Sequence, residues 1–237
     1  MLISLPNAFG DAATNMAIDA SLLDSIPEGL AAFRHYGWTE PAATFGYAQK
    51  FAEVENIQND GVTLCRRLTG GGIVDHRNDW TYALVSEASL PVSSIPATVL
   101  YERIHRTISQ SISDQGIQNR LAPCPRLCGE AQKKASEPDQ CFVKPAANDV
   151  VRPDGQKMAG AAMKRSRNGL LIQGSIDRST LPESFNFDQF QKKLLEELSK
   201  ILKINLGELE DIRPLFDSER IKAHKERFRS EEWKRRR

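Results

Sequence analysis

Three consecutive glycines, Gly70-Gly71-Gly72, constrain this 237-residue chain more than any other short stretch. Each glycine inside a helix costs about 1 kcal/mol relative to alanine, and a strand gains no side-chain packing from one, so the triplet interrupts regular structure. Val62 to Arg67 reads as a strand leading into it, and Trp80 to Val85 restarts extended structure afterwards. Two functions are open to such a turn. It is a tight bend, or it is a cradle whose backbone N–H groups meet a second molecule, with Arg66 and Arg67 supplying fixed positive charge for a phosphate or carboxylate. Neither standard nucleotide fingerprint is present: no Gly-x4-Gly-Lys-Ser/Thr and no Gly-x-Gly-x-x-Gly accompanies the run.

Around this turn the apolar pattern switches between helix and strand periods. From Asn15 to Ile26, Met16, Ala20 and Leu23 stand beside Ile18, Leu22 and Ile26 in staggered rows, with Pro27 following, which predicts a buried helix. Leu30 to Tyr36 and Ala42 to Phe45 read as short strands. Leu100, Ile104, Ile108 and Ile112 recur every four residues before Gly116, predicting a second helix with a glycine just past its end. The stretch from Asn119 to Gln140 has three prolines and little periodicity, and a loop of that length is commonly functional. Phe142-Val143 and Asp149 to Val151 look extended. After the turn Pro153-Asp154-Gly155, Lys157 to Met163 pairs with Leu170 to Ile172 through Asn168-Gly169 as a hairpin. Phe187, Phe190, Leu194, Leu198 and Ile201 mark another helix, and a charged one starts near Ser218. At this length the expectation is an α/β fold in one domain, residues 1–237, with a basic helical tail over about 218–237.

Lys and Arg total 32 against 31 acidic residues, which gives no global reason to expect nucleic acid or an anionic membrane as partner. No apolar run approaches the ~20 residues of a membrane span, and the first residues lack a secretory pattern, so the cytoplasm is the expected compartment. The charge is uneven, however: Lys222 to Arg237 is strongly basic, reading either as a solvated helix end or as a dock for an acidic partner. Of the four cysteines, Cys65 alternates within a strand and reads as core. Cys124 and Cys128 have a spacing that opens many zinc sites, but no second ligand pair follows, so no metal is expected.

The string Arg66-Arg67-Leu68-Thr69-Gly70-Gly71-Gly72-Ile73-Val74-Asp75-His76 closely resembles the acyl-site loop of lipoate protein ligases and octanoyltransferases, of the biotin and lipoate protein ligase superfamily. Further similar motifs occur in order: Asn15-Met16-Ala17-Ile18-Asp19, Tyr36-Gly37-Trp38 with Phe45-Gly46-Tyr47, Asp79-Trp80-Thr81-Tyr82, and Gly155-Gln156-Lys157-Met158-Ala159-Gly160-Ala161-Ala162. The resemblance spans roughly residues 1–180. It implies a mixed-sheet catalytic domain, with Arg66, Arg67, Thr69, Gly70, Gly71, Gly72, His76, Gly160 and Ala161 around the acyl substrate. It also implies that Lys157 contacts the acyl carbonyl, where an ammonium favours a developing oxyanion over the ground state. Without it, a lysine after a turn is ordinarily solvent-exposed, and a lone histidine such as His76 is ordinarily a hydrogen-bonded packing residue.

Cys141, 16 residues before Lys157, has the placement seen in cysteine-dependent octanoyltransferases and lipoyl amidotransferases, where a thiolate holds the acyl group as a thioester. The alternative is a buried structural cysteine. The implied donor is an acyl carrier protein, which the basic tail would suit, and the implied acceptor is a lysine of a lipoyl domain or glycine cleavage H protein. No cofactor is expected on this route, and the protein is expected to be a monomer. The family's accessory domain does not follow Ser230-Glu231-Glu232-Trp233, which with Cys141 favours acyl transfer over ATP activation. The alternatives are an ATP- and Mg-dependent lipoate ligase lacking that domain, or a non-catalytic acyl-binding protein. Two departures stand out. Gln173-Gly174-Ser175 replaces the usual His-Gly-Ser/Thr, and Gly160-Ala161-Ala162-Met163 replaces Gly-Ser-Ala-Gln. Leu68, Ile73 and Tyr82 are the expected lining of the acyl pocket.

Overall fold

The computed structural model describes residues 1–56, 61–123 and 145–236. Its large sheet contains β1 (Leu2–Ser4), β2 (Ala8–Gly10), β3 (Ala31–Trp38), β7 (Asp79–Glu87), β8 (Arg120–Leu121), β9 (Val150–Val151), β10 (Lys157–Arg165), β11 (Gly169–Asp177) and β12 (Leu206–Gly207). The order is β12-β1-β3-β7-β11-β10-β9-β8, with β2 also pairing to β3. β1 runs parallel to both its neighbours, while β3, β7, β11 and β10 are successively antiparallel, so the sheet is mixed. A second sheet pairs β4 (Ala42–Phe45) with β5 (Thr63–Arg66) and β6 (Val74–Asp75).

Strand alternation sorts residues to two sides of the large sheet. Phe33, Trp80, Tyr82, Leu84, Leu170 and Ile172 pack with helices α2 (Ala97–Ser113) and α3 (Phe187–Leu202) in one core. The four-residue row Leu100, Ile104, Ile108 and Ile112 supplies the α2 side of that core, as its spacing predicts. Each such buried side chain contributes about 1.5–3 kcal/mol. Ala32, Tyr36, Ala83, Val85 and Leu171 face the other way, against α1 (Ala12–Ser25) and the last two helices, α4 (Ser218–Arg229) and α5 (Glu231–Arg235). The Asp11 carboxylate caps α1 by accepting from the Thr14 N–H at 2.7 Å, which starts the helix three residues before Asn15, where the predicted segment begins.

The hairpin of β10 and β11 runs longer than its apolar residues suggest, because Lys164, Arg165, Gln173 and Ser175 continue the ladder as polar members. The expected extended segment at Phe142-Val143, most of the long loop, and Cys124, Cys128, Cys141 and Lys144 lie outside the described residues. The basic tail forms two helices divided at Ser230, whose hydroxyl caps α5. It is not a loose end. Arg66, 1% exposed, donates to the carbonyls of Trp233, Lys234 and Arg236, and Trp233 Nε1 returns a bond to the Arg66 carbonyl at 2.9 Å. Among the described residues, no helix is long and apolar enough to cross a membrane.

Candidate active site

A small pocket, with a cavity volume of about 40 Å³, lies over the sheet face that also holds Tyr36 and Ala83. Its room comes from small side chains at successive ladder positions. Gly160 pairs with Ser175 and Ala162 with Gln173, while Thr81 and Ala83 continue those rows into β7. Val74, Thr44 and Arg67 from the smaller sheet and its edge, with Met16 of α1, line the opposite wall. Glycine, alanine and serine on its floor keep bulky side chains out of this pocket.

Lys157 lines this pocket yet is only 3% exposed. Its Nζ is 2.8 Å from a carboxylate oxygen of Asp149, itself 0% exposed. That carboxylate also accepts from the Ala146 N–H at 2.7 Å and from the Tyr101 hydroxyl of α2. Burial, with Asp149 next, pushes the Tyr101 phenol far above its usual range, so it remains a donor. A Cβ on Gly160 would lie 2.5 Å from Lys157 Nζ and crowd its pairing with Asp149. His105, a turn along α2 from Tyr101, is fully buried; its Nδ1 meets the Tyr101 carbonyl, and among the described residues its Nε2 meets no hydrogen-bond partner. Burial holds its pKa down at about 4.

The glycine loop is shaped by close backbone contact. Gly71 adopts φ +84°, and a Cβ on Gly46 would come within 1.9 Å of the Gly71 carbonyl oxygen. Arg67 fastens the turn from inside, donating to the carbonyls of Gly70 at 2.5 Å, Gly72 at 2.8 Å and Thr44 at 3.0 Å. Thr44 Oγ1 also accepts from Arg67 and lies 2.8 Å from His76 Nε2, while His76 Nδ1 lies 2.7 Å from Asp79. Both imidazole nitrogens are therefore engaged within the protein, and the ring stacks on Trp38 at 4.0 Å. Thr81 and Ser175 also donate to that Asp79 oxygen, so the pocket's hydroxyls are already satisfied and the wall they present is largely methyl and methylene.

Gln173 lies in the Gln173-Gly174-Ser175 segment of β11. It donates to Asp19 at 2.7 Å and accepts from Thr69 at 2.8 Å. Asp19 also receives Arg34 at 2.5 Å and Tyr36 at 3.1 Å, and Arg34 in turn contacts Asn15. The amide thus joins the glycine loop to a buried ion pair beneath α1.

Residues 11–203 match the lipoyl protein ligase A/B catalytic domain family. The chain belongs to that family. Octanoyltransferase LipM of Halalkalibacterium halodurans is 31% identical over 233 residues, covering 92% of this chain and 82% of that protein. Octanoyltransferase LipM of Lysinibacillus sphaericus is 29% identical over 198 residues, covering 77% and 71%. In fold the chain is similar to a crystal structure of lipoate-protein ligase A bound with ATP, with TM-score 0.69, 18% identity and coverage of 98% and 97%. The bipartite lipoate protein ligase of Thermoplasma acidophilum gives TM-score 0.67 at 18% identity, covering 98% and 94%. The expected mixed α/β fold of this ligase family is what the chain adopts.

Within this family fold, the residues implied by the motifs are distributed unevenly. Arg67, His76, Lys157, Gly160 and Ala161 line the pocket. Thr69, Gly70, Gly71 and Gly72 stand behind its wall, with Thr69 bridging Arg67 to Gln173. Arg66 is placed elsewhere: its donors go to backbone carbonyls of the Gly46–Gln49 turn and the C-terminal segment, which argues against the expected substrate contact. The expected lining by Leu68, Ile73 and Tyr82 is corrected. Strand alternation turns Tyr82 to the α2 and α3 core, and Leu68 and Ile73 sit in separate apolar clusters. Cys65 is buried, and burial pushes its thiol up to about 12, so it stays protonated. Reading the motifs missed Asp149 and Tyr101, and no local pattern marks either as a partner of Lys157.

Proposed function

We propose that this protein is an octanoyltransferase of protein lipoylation, carrying the acyl group as a thioester on Cys141. The observation that supports the reading best is Lys157: nearly fully buried, ion-paired to Asp149, and lining a pocket floored by glycine, alanine and serine. The two relatives carrying the octanoyltransferase name, across most of the chain, supply the reaction class.

In this mechanism the Cys141 thiolate attacks the carbonyl carbon of octanoyl carrier protein. The bond to the carrier's sulfur breaks, and that thiol leaves with a proton. The acceptor lysine amine of a lipoyl domain or glycine cleavage H protein then attacks the new thioester, loses a proton, and releases Cys141. In both steps Lys157, ion-paired to Asp149, stabilises the oxyanion; one such group is typically worth ~10²–10³ in rate. Arg67 lines the pocket and fastens the glycine loop behind it. Neither step requires ATP or a metal, the acyl group being already activated, and a cytoplasmic monomer suffices for both.

The test is transfer to an apo-lipoyl domain under two regimes: octanoyl carrier protein without ATP, and free octanoate with ATP and Mg²⁺. Modification in the first regime alone is expected. Modification only in the second would replace this reading with an ATP-dependent ligase, and binding without modification in either would leave a non-catalytic acyl-binding protein.

A further inference from the structure

We propose that Lys164, Arg227 and Arg236, gathered around the rings of Tyr47 and Trp233, form a docking site for a carboxylate-rich face of the carrier that delivers the acyl group. This rests on the acyl-transfer reading above and adds to it the surface that receives the donor.

The three cations come from different parts of the chain: Lys164 from β10, Arg227 from α4, and Arg236 from beyond α5. They converge on two rings 5.9 Å apart. Lys164 Nζ is 5.2 Å and Arg236 Cζ 4.4 Å from the Tyr47 ring, while Arg227 and Arg236 lie 3.9 Å and 4.7 Å from that of Trp233. A helix end that is merely solvated does not explain cations brought together from three segments.

Neighbouring basic residues are held in salt bridges, and among the described residues these three are not. Lys234 and Arg235 pair with Glu231, and Lys225 and Arg229 pair with Asp11. Among the described residues, no carboxylate forms a salt bridge with Lys164, Arg227 or Arg236. Burial and then the charge of Arg236 hold Arg227 below the usual guanidinium range, as expected for like charges kept close. An incoming carboxylate relieves that repulsion. With the whole chain near neutrality at a formal +1, the attraction is local to this patch, which suits a compact acidic protein face better than an extended polyanion.

The patch is rigid and lies beside the pocket. Arg66 ties down the segment carrying Trp233 and Arg236, so little order has to be gained on binding. Lys164 follows Ala162 by two residues on the same face of β10, about 7 Å along the strand. Tyr47 donates its N–H to the Thr69 carbonyl within the glycine loop. A donor seated there is next to the wall of the acyl site.

The experiment compares two donors with the full chain: octanoyl carrier protein and the small uncharged thioester octanoyl-N-acetylcysteamine. For the triple variant Lys164→Glu, Arg227→Glu, Arg236→Glu, kcat/KM with the carrier should fall at least about tenfold while that with the small thioester stays within about twofold. Raising the salt should weaken the wild type with the carrier and leave the triple variant nearly flat. Because Arg227 packs on Trp233, the milder pair Lys164→Ala and Arg236→Gln provides a second readout with the same sign. Equal losses with both donors, unchanged use of the carrier, or a higher KM only for the acceptor domain would each overturn the proposal. A wild type that uses neither donor overturns the acyl-transfer reading itself, and the donor site with it.

Discussion

Two aspartate pairs in this protein are buried to the same degree: the cation is 3% and the carboxylate 0% exposed in both Arg34–Asp19 and Lys157–Asp149. Their surroundings differ. Arg34 and Asp19 are enclosed by Asn15, Tyr36 and Gln173, and neither lines the pocket. Lys157 lines it. Burial and pairing alone therefore do not distinguish the two pairs; the cavity beside Lys157 does.

Breaking the enclosed pair should give the largest effect. Asp19→Ala leaves Arg34 buried and unpaired, and should lower unfolding free energy by about 3–5 kcal/mol in urea denaturation. At the other pair, Lys157→Met should reduce octanoyl transfer by ~10²–10³. The double variant Lys157→Met, Asp149→Leu sharpens the contrast: replacing both charges with apolar groups should recover much of the stability and none of the activity. If activity returned in the double variant, the two pairs would be equivalent scaffolds.

The next effect is seen in acid. His105 titrates at about 4 when folded. An unfolded histidine does so near ~6.5, so the unfolded chain takes up the proton first. The stability tied to His105 is complete above ~6.5 and declines as the pH falls toward 4, by on the order of 3 kcal/mol. Denaturation midpoints at neutral pH and near pH 4.5 should converge in His105→Gln. Smallest is Tyr101→Phe, which removes one hydrogen bond to Asp149: about 1 kcal/mol of stability and a several-fold slower transfer are expected, with no loss of the Lys157 ion pair.

The unequal legibility of these features has physical causes. The α2 row and the β10–β11 hairpin could be read because periodicity and turn residues are local. Lys157 stood out through the spacing of a motif, but Asp149 lies eight residues before it and Tyr101 on a helix far upstream, brought together only by β9, β10 and α2 packing. Arg66 and Arg67 are adjacent in sequence and point to opposite ends of the smaller sheet's surroundings, one to the C-terminal segment and one into the glycine turn. Sequence gave them a common role because side-chain direction is not written in a dipeptide. Short strands such as β1, β6 and β12 carry too few residues for any period to register.

The most direct test of the central claim is the intact mass of the protein after mixing with octanoyl carrier protein, compared between wild type and Cys141→Ser. A single octanoyl adduct on the wild type and none on the variant is the predicted result. An adduct that persists on Cys141→Ser, or fails to form on the wild type while the acceptor is still modified, would contradict the thioester route.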